Sequence, residues 1–460
     1  MMRYLKPLLC RTAIPFVLSI PLLFGGVLSG AELKTGFGRR QITPPLPILL
    51  AGFENRKKPA GNVANDIWTK ALAFEDPGGQ KVILITIDVA TMPKAMSDMV
   101  AERVTYRQGI DRSRLAINVS HTHSGPALEW PAHTEREMML RIEAYRNRVM
   151  DAMVEAASDA VQDLQPARIS YGTGKVEFSH NRRQRLPSGG WVFGIDPNGP
   201  VDQTVPVVRV FSPAGKLRGV LFGLSCHPSV LTYEFYVVSG DYAGIAQAAW
   251  EKAHPGATAM FMQLCGGDQN TYPRRKMELA EKYGHELATE VDRVMASPMK
   301  PVRPPLKAAM LTTELPFAPF SLAGFEQRTK DPDELVRSHA VRMVKQYESG
   351  NPPLPALPYT MQAIQFGKDL TVLAMNGEVV VDYALRVKKE YGADGMIVAG
   401  YTNDRPCYIP SLRVLKEGGY EARDNMLMDP WPGPFSGQVE EIIFTGIRKL
   451  MQTVGRAPVH

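Results

Sequence analysis

The chain has 460 residues and a formal net charge of +6 at pH 7, with 44% apolar and 22% charged residues. This is the composition of an ordinary globular protein, and the length predicts two or three domains or one large α/β domain with insertions. Because no basic run is interleaved with aromatic residues, we expect no nucleic-acid partner. The sequence shows no low-complexity tract and no obvious internal repeat.

The first 31 residues have the layout of a secretory signal peptide. Three basic residues precede the apolar stretch IPFVLSIPLLFGGVL, and Ser29 and Ala31 occupy the −3 and −1 positions of a cleavage site. A single membrane anchor is the alternative, although the apolar run is short and contains two prolines. We therefore predict a secreted or periplasmic protein, membrane-associated if the anchor is retained, whose folded part is residues 32–460.

Six short β-branched runs predict buried strands. They are residues 81–88, 114–120, 207–211, 219–226, 257–264 and 370–375. Helical periodicity is clearest at 139–164, 242–253, 275–297, 333–348, 380–391 and 437–453. This alternation predicts an α/β fold with a mixed, largely buried β-sheet flanked by helices.

Most of the chemically interesting side chains directly follow a predicted strand or apolar segment. They are His121, His227, Asp268, Glu378, Tyr401 and Tyr408. In α/β folds, ligands collect in the loops beyond the C-terminal ends of strands. We therefore expect these loops to form one polar site.

The triplet His121-Thr122-His123 comes straight after the predicted strand 114–120. Side chains two residues apart on an extended segment point to the same side, and neutral imidazoles are good zinc ligands. The alternative is a pair of loop histidines that only form hydrogen bonds. His227 is likewise either a ligand or a capped loop histidine.

The two carboxylates each have a structural alternative as well. Asp268 follows a Gly-Gly pair and either orients a ligand or holds the turn. Glu378 follows an Asn-Gly turn signal at the start of a helical pattern, where a carboxylate is favourable for the helix dipole alone.

Nine short motifs follow one another in an order found in one enzyme family. They are GFGRRQITPPL (36–46), SHTHSGP (120–126), SHNRR (179–183), CHPS (226–229), SGDYAG (239–244), GGDQN (266–270), NGE (376–378), YIPS (408–411) and GGYEA (418–422). In this order, from about residue 35 to 455, the chain resembles the neutral/alkaline ceramidase family. Members of that family are zinc amidases that cleave N-acyl-sphingosine into a fatty acid and sphingosine.

The resemblance implies a metal centre. His121 and His227 would bind Zn²⁺, and Glu378 and Tyr408 would complete the metal shell. His123 would stand beside the metal as a hydrogen-bond partner or proton-transfer group. Such a set of ligands with one open position is what a catalytic zinc requires.

The resemblance also implies residues that act on the substrate. Arg182 and Tyr420 would contact the substrate carbonyl or the developing oxyanion, and Asp268 is a further catalytic candidate. The serine of the family's G-D-x-S-P-N motif is missing, since Gln269 and Asn270 stand in its place. A zinc-hydroxide mechanism survives this loss, whereas a serine-nucleophile mechanism does not. The family's C-terminal β-sandwich domain is also expected to be absent.

The leading expectation is a secreted zinc amidohydrolase that acts on an N-acylated lipid such as ceramide. One alternative is the same zinc site acting on a smaller amide or ester, and another is a non-catalytic secreted binding protein on a decayed enzyme fold. A lipid substrate needs an apolar cleft, for which 231–238 and 316–325 could supply walls or peripheral membrane contacts. Both segments could equally be ordinary core and loop residues. The sequence leaves the oligomeric state open.

Overall fold

A computed structural model of the chain describes Met2, residues 32–131 and residues 133–459. Apart from Met2, the predicted signal peptide of residues 1–31 lies outside the described residues. The described part is mixed α/β, as predicted, and most strands belong to three mixed sheets. No helix in this part of the chain is both long enough and apolar enough to cross a membrane.

The strands in the described residues are numbered in chain order. They are β1 Lys34–Gln41, β2 Asn62–Val63, β3 Trp68–Glu75, β4 Lys81–Ile87, β5 Leu115–Val119, β6 Gln165–Pro166, β7 Arg168–Lys175, β8 Ser179–Arg185, β9 Trp191–Asp196, β10 Thr204–Phe211, β11 Leu217–Leu224, β12 Val237–Val238, β13 Thr258–Gln263, β14 Gln269–Thr271, β15 Lys300–Val302, β16 Leu306–Pro316, β17 Ala356–Phe366, β18 Leu370–Met375, β19 Glu378–Val379, β20 Met396–Ala399 and β21 Tyr408–Ile409.

The α-helices in the described residues are numbered in the same way. They are α1 Lys94–Gln108, α2 Arg136–Gln162, α3 Asp241–Ala253, α4 Met277–Ala296, α5 Leu322–Arg328, α6 Glu334–Glu348, α7 Val381–Tyr391, α8 Leu412–Glu417 and α9 Val439–Val454. All six predicted strands and all six predicted helices correspond to observed elements. Helix α1 and several strands, β3 among them, were not predicted.

The three main sheets share one topology. Their strand orders are β5-β4-β3-β1-β6, β13-β11-β10-β7-β15 and β20-β18-β17-β16. In each sheet three successive strands are antiparallel, and a helix then leads to a fourth strand that is parallel to the third. The crossover helices are α1, α3 and α7. The fold therefore repeats three times in topology, although the sequence shows no obvious repeat.

In each sheet, one long helix covers the first two of the three antiparallel strands in chain order. Helix α2 packs on β1 and β3, α4 on β7 and β10, and α9 on β16 and β17. The first of these contacts is unusually close. A Cβ atom on Gly36 would lie 2.0 Å from the carbonyl oxygen of Ala160, and one on Gly38 would lie 2.0 Å from that of Ala156. The two glycines of the GFG motif thus allow the helix backbone to approach the strand directly.

The three sheets meet at the strands β5, β13 and β20, each of which ends a parallel pair. Asn118 on β5 joins them, because its side-chain amide donates hydrogen bonds to the carbonyls of Gln263 (3.1 Å) and Gly400 (2.9 Å). The Asn118 Oδ1 atom also accepts the Gln263 N–H at 2.8 Å. The C-terminal ends of all three parallel pairs consequently open onto one place, which is where the sequence predicted the site.

Candidate metal centre and active site

His121 lies two residues beyond the end of β5, with its backbone in the left-handed region (φ 63°). The imidazole is buried, and its Nδ1–H donates a 2.6 Å hydrogen bond to the carbonyl oxygen of Ala90. This carbonyl fixes the tautomer, so the Nε2 atom faces the centre of the molecule as a lone-pair acceptor.

His227 reaches the same place from the end of β11. Its Nδ1–H donates to the Gly266 carbonyl oxygen at 2.7 Å, so its Nε2 atom is again the free acceptor. Burial and the positive charge of Arg182 lower the pKa of His227 to about 4. The imidazole is therefore neutral at pH 7, the state in which it can bind a metal.

Glu378 is brought to the histidines by the third sheet. A turn at Gly377 (φ 81°) follows β18, and the two-residue strand β19 then pairs in parallel with β21, placing Glu378 beside Tyr408. The Glu378 Oε2 atom lies 3.2 Å from the Nε2 atoms of both His121 and His227. Although burial raises the pKa of Glu378, the neighbouring His121, His227 and Arg405 hold it well below its usual range.

Three acceptor atoms therefore face one another within a buried space. With both Nδ1 atoms committed to carbonyls, the two Nε2 lone pairs and the carboxylate oxygen repel unless a cation or a proton lies among them. The ligand atoms of His121, His123 and His227 all lie within 4.8 Å of one another, a grouping that can hold a metal ion. Imidazole nitrogens with one carboxylate oxygen are a donor set suited to zinc.

His123 stands at the open side of this group. Its Nε2 atom is 3.0 Å from Nε2 of His121, and its buried Nδ1 atom has no hydrogen-bond partner among the described residues. Burial, followed by the neighbouring His121 and His227, lowers the pKa of His123 well below its usual range. The ring packs edge-on against Phe53, with centroids 4.7 Å apart. His123 thus has a neutral ring with a nitrogen available for proton transfer.

Arg182 lies on the other side of the histidines, on the buried strand β8. Its Nη2 atom donates to the Tyr408 hydroxyl at 3.1 Å, and its Nη1 atom lies 3.2 Å from Nε2 of His227. Glu421 accepts the Nε–H at 2.8 Å and so holds the guanidinium in place. The ring of Tyr420 packs edge-on against that of Tyr408. Arg182 and Tyr420, whose polar groups can stabilise an oxyanion, therefore lie beside the predicted ligands.

A cavity of about 760 Å³ opens onto these residues. Seven of the eight predicted site residues line it: His121, His123, Arg182, His227, Glu378, Tyr408 and Tyr420. The eighth, Asp268, is fully buried behind the wall. Its carboxylate accepts the Val381 N–H at 2.8 Å and an Asn181 amide N–H at 3.1 Å. This geometry favours the second of the two roles considered for Asp268, which is to hold the turn.

Of the two residues at the position of the family serine, only Asn270 lines the cavity. Gln269 is buried, and its side-chain oxygen accepts the Asp202 N–H at 2.6 Å.

Of the two apolar segments considered as cleft walls, one contributes to the cavity lining and the other does not. Tyr233 of 231–238 lines the cavity, whereas 316–325 contributes none of its lining, since Phe317 and Phe325 are buried in the core.

Sequence reasoning missed several polar residues at the site. The Arg405 Nη1 atom lies 3.4 Å from Glu378 Oε1, the carboxylate oxygen that points away from the histidines. Arg56 donates hydrogen bonds to the carbonyls of Ala51 (2.8 Å) and His123 (2.7 Å). Arg405 could have been predicted as a site residue from its position three residues before Tyr408. Arg56 lies in a loop more than 60 residues before His121, the nearest predicted site residue, so the sequence carried no signal for it.

The fold and the site together define an α/β protein with a candidate histidine–carboxylate metal centre at the C-terminal ends of three sheets. Residues 33–269 match the family described as neutral/alkaline non-lysosomal ceramidase, N-terminal. This is just over half of the chain, and the chain belongs to that family. The matched part contains His121, His123, Arg182 and His227, whereas Glu378 lies beyond it.

Individual relatives agree with this assignment. The neutral ceramidase of Pseudomonas aeruginosa is 24% identical over 249 residues, which are 51% of this chain and 36% of that protein. Neutral ceramidase 1 of Arabidopsis thaliana is 22% identical over 297 residues, 60% of this chain and 37% of that protein. The chain thus spans little more than a third of the length of these curated relatives.

Two solved structures share the fold. The crystal structure of the neutral ceramidase from Pseudomonas aeruginosa superposes with a TM-score of 0.68 at 17% identity, covering 94% of this chain and 76% of that chain. A ceramidase complexed with C2 gives a TM-score of 0.69 at 16% identity with the same coverage. At these identities the likeness establishes the common fold.

Proposed function

We propose that this protein is a secreted, zinc-dependent amidohydrolase that cleaves the amide bond of an N-acylated lipid, with ceramide as the reference substrate. One observation carries the proposal: the Nε2 atoms of His121 and His227 and an oxygen of Glu378 converge, each as an acceptor, at a cavity large enough for a substrate. Membership of the ceramidase family supports the reaction type.

In this proposal His121, His227 and Glu378 hold the zinc ion, and Tyr408 completes the shell. A bound zinc ion supplies Lewis acidity and makes water acidic enough to act as a nucleophile near neutral pH. The hydrogen bonds from the two Nδ1 atoms to main-chain carbonyls would keep both rings in the required tautomer.

The chain's own residues perform the remaining steps. Attack by water on the amide carbon places negative charge on the carbonyl oxygen, which the Arg182 guanidinium and the Tyr420 hydroxyl stabilise. His123, neutral at pH 7, takes a proton from the attacking water and gives it to the leaving nitrogen. The C–N bond breaks, the water oxygen stays on the acyl carbon, and the products are a carboxylic acid and an amine.

Asp268 acts as a positioning residue in this scheme. Its carbonyl oxygen accepts the Arg182 backbone N–H at 2.8 Å, while its carboxylate holds the N–H of Val381 at the start of α7. It therefore links the segment that carries Arg182 to the segment that follows Glu378.

The test measures metal content and ceramide hydrolysis on the same preparations. We expect about one zinc per chain in the wild type, lost in His121→Ala and in Glu378→Ala. We expect His123→Ala to keep its zinc but to lose at least 100-fold in kcat, because removal of a proton-transfer group typically costs 10²–10⁴-fold. A wild-type protein that binds no zinc after reconstitution would refute the proposal, and loss of zinc in His123→Ala would make that residue a ligand instead.

A further inference from the structure

Two adjacent arginines line the cavity without an acidic partner. Arg274 and Arg275 lie between β14 and α4, and both line the cavity. Neither side chain forms an ion pair with a carboxylate of the described residues. The Arg274 guanidinium also donates no hydrogen bond within this part of the chain, and it is only partly exposed.

The other arginines of the cavity wall are either ion-paired or hydrogen-bonded to main-chain carbonyls. Arg182 forms a 2.8 Å ion pair with Glu421, and Arg405 lies 3.4 Å from Glu378. Arg56 has no carboxylate partner, but it is bonded to main-chain carbonyls. Among the described arginines of the cavity wall, Arg274 and Arg275 are thus the two whose side chains have no hydrogen-bonded or ion-paired partner, whereas Lys58, the lysine of the wall, lies over the ring of Tyr236.

Arg274 is the electrostatically unfavourable member of this pair, since it is half-buried while Arg275 is exposed, and the attraction of Asp241 offsets the repulsion only in part. Burial, and then repulsion from Arg182 and Arg275, lowers the pKa of Arg274. Partly desolvated like charges are costly unless a counter-charge joins them, and arginine binds carboxylates and phosphates especially well because its planar fork can bond both oxygens. An anionic group in the cavity would remove the repulsion.

The rest of the lining restricts where such an anion can lie. The ring of Phe53 packs against His123, and its centroid lies 6.3 Å from that of Tyr233. Both rings line the cavity and suit an acyl chain. The acidic residues of the wall, which repel an anion, are Glu54, Glu129, Glu378 and Asp429. An anion in the cavity would therefore be attracted to Arg274 and Arg275, whose side chains have no carboxylate partner among the described residues.

We infer that the preferred substrates of this site are N-acylated amines whose amine part carries an anionic group, a carboxylate in the simplest case, bound by Arg274 and Arg275. This inference rests on the proposed function, because it assumes that the acyl amide lies at the His121–His227–Glu378 centre. It distinguishes this chain's substrate from an uncharged ceramide.

The test compares N-lauroylglycine with N-lauroylethanolamine, which share the acyl chain and differ in a carboxylate against a hydroxymethyl group. Binding to zinc-depleted protein is measured by calorimetry. We expect the wild type to bind N-lauroylglycine at least about tenfold more tightly, as for a hydrogen bond to a charged group. Arg274→Gln and Arg275→Gln should each reduce this ratio, and added salt should reduce it further. Lys276→Gln is the matched control, since Lys276 is the next cation along the chain and does not line the cavity.

The outcomes separate the inference from the proposed function. Equal affinity for the two ligands, or the same ratio in Arg274→Gln as in Lys276→Gln, would overturn the inference. Hydrolysis of both ligands is measured separately with zinc-loaded protein. A carboxylate preference in binding without hydrolysis would support the anion site and count against the hydrolase. Hydrolysis of both at equal kcat/KM would support the hydrolase and count against the anion site.

Discussion

The position of His123 depends on the absence of a side chain at Gly52. A Cβ atom on Gly52 would lie 2.6 Å from Cγ of His123, against the 3.4 Å at which ordinary contact begins, so the ring must retreat by about 0.8 Å. The His123 Cα and Cβ atoms would both be 2.8 Å away, so rotation of the ring alone cannot relieve the clash. A displacement of about 1 Å in a catalytic group costs on the order of 10²-fold in rate. We therefore expect Gly52→Ala to lower kcat about 100-fold while the zinc content is unchanged.

Two other glycines separate the possible causes of such a loss. Gly52 has φ +93°, so alanine there is also strained in its backbone. Gly79 has φ +77° but open space around it, and Gly61 has open space without a positive φ. Gly79→Ala should lower stability by about 1 kcal/mol and keep wild-type kcat, and Gly61→Ala should change neither. Wild-type kcat in a folded Gly52→Ala variant, or an equal loss of kcat in Gly79→Ala, would refute the reasoning about His123.

Three further outcomes follow from buried contacts. Asn118→Ala leaves the Gln263 N–H without its side-chain acceptor and removes the hydrogen bonds to the Gln263 and Gly400 carbonyls where the sheets meet. Urea unfolding should therefore show a loss of about 3–5 kcal/mol, whereas the exposed Asn198→Ala should stay within about 0.5 kcal/mol. Glu421→Gln removes the charge that holds Arg182 and should lower kcat about tenfold with KM and zinc content little changed, which kinetics and metal analysis check. Burial raises the pKa of Asp241 to about 6, so the folded state binds the extra proton between about pH 6 and pH 4. Relative to Asp241→Asn, the wild type should therefore gain up to about 3 kcal/mol of unfolding free energy as the pH falls from 7 to 4, and a constant difference would contradict that pKa.

The elements that the sequence predicted are those whose pattern depends only on local burial. Strand β4, for example, is buried at six of its seven residues, and α4 has one clearly apolar face. Helix α1 was missed because its apolar residues are not confined to one face: Met96 and Val100 are buried while Met99 and Tyr106 are exposed. Strand β3 was missed because it contains Lys70, whose buried ammonium is bonded to Glu251 and to the Ala259 carbonyl from other parts of the chain.

The predicted site residues came together because each follows a strand that ends at the same place. Sequence order was enough for His121, His227 and Glu378, since strand ends converge in α/β folds. It could not show that Asp268 turns its carboxylate away from the cavity, because that depends on the Val381 N–H more than 100 residues later. It also could not show which arginines lack partners, because a missing ion pair is a property of the assembled wall.

The threefold topology explains why a site of this kind forms where it does. A mixed sheet that ends in a parallel strand exposes one edge, and the main-chain groups of that edge need partners. Here the edge of β5 pairs with the segment that follows β20: the Val119 N–H donates to the Tyr401 carbonyl at 3.1 Å, and the Asn403 N–H donates to the Ile117 carbonyl at 2.6 Å. The strand ends must then diverge into loops around a common centre, and the polar side chains of those loops are buried together there. A cation among them would make that burial favourable, so the packing that closes the sheets also assembles a group that can hold a metal ion.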